Sequence, residues 1–165
     1  MTNATQTTVR VHRVYINAPA QKVWDAITNP EWNGHYAFKA PSEYDLRPGG
    51  PYRVVSTAEM REVGAPEVLI DGEVLECEVP IRLVQTWRAH FTPETSAEGF
   101  TRLTWELEEE PPGITRLTVT HDVENAPAVA LATEGDAPLG QGGGGWAWIL
   151  SDLKTFLETG KPSQF

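Results

Sequence analysis

Gly140, Gly142 and Gly145 stand at the spacing G-x-G-x-x-G ahead of a helical stretch. That spacing lets a backbone turn cradle a dinucleotide pyrophosphate. The rest of such a unit is missing. Residues 124–139 do not read as a strand, and the 20 residues after Gly145 leave too little chain for a further strand and an acidic ribose partner. No Gly-Lys-Ser/Thr supplies a P-loop. The glycines are read instead as a hinge or lead-in to the helix. Of the four histidines, no pair stands at i, i+4 or in H-E-x-x-H form, so no metal site is expected. Cys77 lies between Glu76 and Glu78, whose charges disfavour a thiolate nucleophile. Without a G-x-S-x-G elbow, Ser-His-Asp catalysis finds no support. His121 and His35 remain as candidates for proton transfer. The alternative for His121 is a buried ring satisfied by a backbone carbonyl or an acidic neighbour such as Glu59. For His35 it is a solvated loop residue.

The elements that must position these groups come from a chain of 165 residues with 23 acidic and 13 basic side chains, a net charge of −10. Such a charge repels nucleic acid and anionic lipid surfaces. A single cysteine allows no intrachain disulfide. No stretch approaches the ~20 apolar residues of a membrane span, and the polar N-terminus has no secretory h-region. The expectation is one cytoplasmic, bacterial domain over residues 1–165, with 1–7 disordered, as monomer or homodimer, and with no cofactor.

Residues 8–16 are β-branched and read as a strand. Asn17 as a cap, Pro19 and the Val23, Trp24, Ile27 stripe then predict a helix, broken at Asn29-Pro30, with a second short helix over 31–35. Strands are predicted at 51–57, 67–79, 82–91, 102–109 and 115–123. They are separated by Pro/Gly turn signals short enough to require antiparallel pairing. Residues 124–144 read as loose. A helix over 145–159 carries an apolar stripe through Trp146, Ile149, Leu150, Leu153, Phe156 and Leu157, with Trp148, Asp152, Lys154 and Thr155 off it.

This order, strand, two short helices, antiparallel meander and long closing helix, resembles the helix-grip fold of the START, Bet v 1 and polyketide-cyclase (SRPBCC) superfamily. Within it the chain resembles the group named after the C-terminal domain of the activator of heat-shock-protein-90 ATPase. "INAPAQKVWDAITNPEW" (16–32), "RPGGPYRV" (47–54), "DGEVLECEVPIRLVQTW" (71–87), "LTVTHDV" (117–123) and "GWAWILSDLKTFLETGKP" (145–162) carry the likeness. The resemblance implies an α+β domain whose curved sheet wraps the last helix around an apolar pocket. It also implies a repertoire running from lipid, hormone or polyketide binding to cyclase, aromatase or dehydratase chemistry, co-chaperone action and antibiotic sequestration.

Strand parity turns Leu83, Trp87, Ala89 and Phe91, then Leu103, Trp105 and Leu107, then Leu117, Val119 and His121 to one face. With the helical aromatics, the expected ligand-binding set is Trp24, Trp32, Tyr36, Trp87, Phe91, Trp105, His121, Trp146 and Leu150. Singly these aromatics would also suit a packed core; together they suit a cleft for a flat apolar molecule. Binding of a small hydrophobic, aromatic or polyketide-like ligand is the leading expectation. A cyclase-type enzyme, a co-chaperone or a sequestering resistance protein is the alternative. Residues 128–145 are expected to gate the pocket, with Gly142 to Gly144 as the flexible part.

Overall fold

Seven antiparallel strands form one sheet in the order β1-β7-β6-β5-β4-β3-β2. The structure is a computed structural model that describes residues 8–138 and 144–163. The strands are β1 (Val9–Ile16), β2 (Ser42–Tyr44), β3 (Pro51–Val55), β4 (Val68–Glu78), β5 (Arg82–Ala89), β6 (Thr101–Glu109) and β7 (Thr115–Asp122). β2 to β7 follow as a meander. β1 closes the far side by pairing with β7, from Val9 opposite Asp122 to Ile16 opposite Thr115. The inward alternation is as the sequence implies: Leu83, Trp87, Leu103, Trp105, Leu117, Val119 and His121 are all buried. Register shifts between Val54 and Val55 and between Val74 and Glu76 add bulges. Bulges strengthen twist and bend a sheet, here into the concave form that receives a helix.

That helix is α6 (Gly145–Thr159), 15 residues or roughly 22 Å. It buries Trp146, Leu150, Leu153, Phe156 and Leu157. Asp152, placed off the apolar stripe by periodicity, is also buried. Its carboxylate accepts the backbone N–H of Ala37 at 2.7 Å and of Ser163 at 2.5 Å. Two charge-assisted bonds offset the desolvation that would otherwise keep an aspartate in water. Together the described elements form an α+β helix-grip domain.

Between β1 and β2 lie α1 (Ala20–Thr28) and α2 (Pro30–Asn33). Asn17 does not cap α1. Its own N–H groups donate to Glu158, and the first amide of α1, at Ala20, donates to Glu109 Oε1 at 2.6 Å. Three short helices escaped the sequence reading. α3 (Ala58–Glu62) starts at Thr57, whose hydroxyl accepts from Met60 N–H. α4 (Pro93–Ala97) starts with a Thr92–Thr95 capping box where Thr92-Pro93 reads as a turn. α5 (Pro127–Ala132) lies inside the stretch expected to be loose. Glu98 accepts the amides of Ala128 and Val129 at 2.7 and 2.9 Å, and Val129 is fully buried. The cap comes from 30 residues away, so no local signal marks it. Gly142 and Gly143, central to the expected hinge, lie outside the described residues. No helix is long and apolar enough to cross a membrane among the described residues.

Gly72 on β4 shows how tightly the sheet is drawn. A Cβ there would stand 2.0 Å from the carbonyl oxygen of Thr86 on β5. Gly72→Ala must push the two strands apart, and overpacking of this kind costs roughly 3 kcal/mol. Equilibrium denaturation should register that loss; an unchanged midpoint would mean the strands are not so close.

Candidate functional site: an aromatic cavity under the last helix

Between the concave sheet and α6 lies a cavity of about 120 Å³. Its roof is Gly145, Trp146 and Ile149 of α6, with Ala132 and Thr133 from the end of α5. Its floor is Trp87, Trp105, Tyr52, Val54 and Ile70 from the sheet. Tyr44, Phe91 and residues 36–38 close the sides. Each wall has a local cause. Tyr52 and Val54 are the inward positions of β3, buried while Pro51 and Arg53 are exposed. Ala37 and Lys39 have left-handed φ of 55° and 58°, so the 36–40 loop turns sharply under α6, and Asp152 fastens it there. Gly145 has φ 62°, and a Cβ on it would stand 2.5 Å from Thr133 O. The last glycine of the run therefore permits the close approach of α6 to the chain after α5, which seals the roof.

Trp146 is the centre of the roof. Its indole stands edge-on to Trp105 at 5.6 Å and tilted to Trp87 at 6.2 Å. Its Nε1–H donates to His121 Nδ1 at 3.1 Å. His121 Nε2 lies 2.8 Å from Thr101 Oγ1, and that hydroxyl donates its own proton to Trp87 O at 2.8 Å. An indole nitrogen can only donate, so His121 Nδ1 is the acceptor and Nε2 carries the proton. The chain Trp146→His121→Thr101→Trp87 is complete only with a neutral imidazole. Burial holds the His121 pKa down at about 4, below its ordinary 6.5. The partner foreseen for this ring was a carbonyl or Glu59; it is an indole and a threonine.

A second polar chain edges the cavity. Gln85, fully buried on β5, accepts at Oε1 from Tyr44 Oη at 2.7 Å and from Trp105 Nε1 at 3.1 Å. Its amide Nε2 has no hydrogen-bond partner. Tyr44 and Tyr52 stack at 4.5 Å. Burial raises the pKa of Tyr36, Tyr44 and Tyr52, so all three phenols stay protonated at neutral pH. Tyr36 donates to Ala26 O at 2.9 Å. No carboxylate, histidine, lysine, arginine or cysteine is among the described residues that line the cavity.

Of the residues anticipated as a binding set, Tyr36, Trp87, Phe91, Trp105 and Trp146 line the cavity. Trp24, Leu150 and His121 are buried but stand outside its lining. Trp32 is 45% exposed and meets Phe156 edge-on. His35 stacks on Phe156 at 6.0 Å and does not line the cavity. Tyr44, Tyr52 and Gln85 were missed. Gln85 was findable, since it occupies the inward position between Leu83 and Trp87. Tyr44 sits on a strand of three residues, too short to show alternation. The Cys77 thiol is raised by burial rather than by its flanking glutamates.

Away from the cavity, His90 bridges Ser96 Oγ and Asp71 Oδ1, both at 2.9 Å. These three side chains form a serine–histidine–aspartate chain. Arg88 grips both oxygens of Asp71 and holds its carboxyl below the usual range. The Ser96 amide is spent on Thr92 O, leaving no donor there for an oxyanion. The chain ties α4 to β4 and β5.

A search of curated proteins finds no match. The family model described as "Activator of Hsp90 ATPase homolog 1-like protein" matches residues 17–158. The chain belongs to that family. Among solved structures, CalU16 from Micromonospora echinospora is similar at 23% identity, over 94% of this chain and 76% of that one, with a TM-score of 0.60. An HSP90 activator from Plasmodium falciparum is similar at 20% identity, over 96% and 100% of the two chains, with a TM-score of 0.61. The Aha1 dimer from Colwellia psychrerythraea is similar at 18%, over 94% and 99%, with a TM-score of 0.62. These likenesses place this member of the Activator of Hsp90 ATPase homolog 1-like family in the same fold.

The pinned histidine makes stability depend on pH. A folded-state pKa of about 4 against 6.5 means the unfolded chain binds the proton first. The contribution is therefore whole above pH 6.5, declines as pH falls, and is gone below about pH 4. It amounts to about 3 kcal/mol. Denaturation at pH 7 and pH 4.5 should lose most of that difference in the native protein and less in His121→Gln, which has no imidazole to protonate. An equal loss in both would refute the assignment.

Proposed function

We propose that the protein binds a small, uncharged, flat apolar molecule in the cavity beneath Trp146. The observation that carries the reading is the lining itself, where Tyr36, Tyr44, Tyr52, Trp87, Phe91, Trp105 and Trp146 surround a space with no charged side chain among the described residues that line it. Flat π-faces bury much area at little entropic cost, and their edges favour offset or edge-on contact with another ring. An anion or cation would enter without a counter-charge, at a large desolvation penalty. An apolar cavity of about 150 Å³ holds a benzene molecule, so the 120 Å³ present here lies at the lower limit for a single ring. A polyketide-sized ligand would need the roof to lift.

Binding is favoured over cyclase-type chemistry for a specific reason. General acid–base catalysis needs a group whose pKa lies near the working pH. The described lining offers phenols pushed upward by burial and amides, and neither is a base at neutrality. His121 lies behind Trp146 with both nitrogens engaged.

Titration with p-xylene should change tryptophan emission saturably, and benzoate should bind at least ten-fold more weakly, given the unpaired charge. Val54→Phe, which adds a ring inside the cavity, should abolish the signal while the protein stays folded by circular dichroism. Absence of any saturable change with p-xylene in the native protein would dismiss the reading.

A further inference from the structure

The row of rings beneath α6 continues past the cavity. Trp146 stands 6.2 Å from Trp87, and Trp87 stands 6.2 Å from Phe91, which it meets edge to face. Phe91 belongs to two walls. It lines the cavity and, with Tyr52, also lines a neighbouring groove of about 800 Å³. Pro66, Val68, Thr92 and Pro93 bound that groove and take no part in the cavity lining. Phe91 is 43% exposed, and exposed side chains change rotamer within nanoseconds, so its ring is a movable partition. Two other sides offer no such route. At the 36–40 loop, Ala37 is tied to Asp152 and Phe38 rests edge-on against Trp148. The groove between β1 and α5 shares no lining residue with the cavity. The charged groups in the described lining of the groove beyond Phe91 are paired, Arg53 with Glu43 and Asp71 with Arg88 and His90.

Resting on the proposed binding of an uncharged ring, we infer that the site takes a two-part ligand: an aromatic ring beneath Trp146 and an unbranched, uncharged tail that passes Phe91 into the groove. A ring fills the 120 Å³ of the cavity, so any further ligand atoms must leave it. The row Trp146, Trp87, Phe91 marks a way out along which apolar contact is kept. An unbranched chain needs the displacement of one side chain only. A charge on that chain within the groove would find each opposite charge already engaged, and would be desolvated without return. Because the tail departs past the end of β5, α6 keeps its place over the sheet.

The test lengthens one methyl of p-xylene and follows tryptophan emission with p-xylene, 4-propyltoluene and 4-pentyltoluene. In a cavity closed at Phe91 the longer probes bind more weakly, because their chains have no room. With the groove as a continuation, affinity should rise along the series. A fully buried methylene is worth roughly a four-fold gain. A chain lying half-buried in a groove should gain about two-fold per methylene, so 4-pentyltoluene should bind at least ten-fold more tightly than p-xylene. Two changes confined to the groove check where the chain lies. Val68→Glu sets an unpaired charge against the chain, and Pro66→Trp, at an exposed turn, fills the space. Each should bring 4-pentyltoluene down to the level of p-xylene and leave p-xylene itself unchanged, which also reports an intact cavity. If p-xylene binds and the longer probes are equal or weaker, the tail site is wrong and the ring cavity stands. A chain-length gain that survives both groove variants also overturns it. If none of the three binds, the proposed function itself falls.

Discussion

The hydrogen bond from the Trp146 indole to His121 is the contact on which the rest of the structure depends. Helix packing on a sheet is otherwise non-directional, because burial of apolar area fixes no rotation or register. One indole N–H facing one imidazole nitrogen does fix them. It sets the first turn of α6 over the C-terminal end of β7 and holds Trp146 beside Trp87 and Trp105. The fully buried histidine costs no charge, since its environment keeps it neutral. Thr101 and the Trp87 carbonyl then extend the same chain of bonds across β6 to β5. The middle of the helix is secured differently, by Asp152 gripping the 36–40 loop and the tail at Ser163. The cavity lies between these two fastenings, which is why a space lined by large aromatics does not close on itself.

The chain carries 23 acidic and 13 basic residues, yet the cavity has no charged side chain in its described lining. On the sheet, charge is kept to the outer faces of the strands, where Arg53 meets Glu43 and Arg116 meets Glu108, while the buried Asp152 of α6 faces the 36–40 loop and the tail. Exposed pairs of this kind add little stability; their effect is to leave the interior to neutral groups.

Much of this was legible in the sequence, because period-2 alternation is a direct consequence of pleating. Five of the six strands beyond the first two helices, and the bounds of α6, follow from it together with Gly and Pro. Parity also turned His121, Trp87 and Trp105 inward. What parity lacks is depth. It places His121 on the inner face but not behind Trp146, and helical periodicity likewise groups Trp24 and Leu150 with the lining although they pack elsewhere. Contacts between distant segments were illegible for a different reason. Glu98 capping α5, Glu109 capping α1 and Asp152 holding Ala37 join residues 30 to 115 apart, and no local pattern encodes them. β2 and α4 were missed because elements of three to five residues show no full period.

The most direct test of the account is to see the cavity occupied. Crystals of the protein grown with p-xylene should show one molecule enclosed by Tyr36, Tyr52, Trp87 and Trp146, with the Trp146–His121 bond kept and α6 in place. Density for the probe only on the outer surface, or side chains collapsed into the space beneath Trp146, would contradict it.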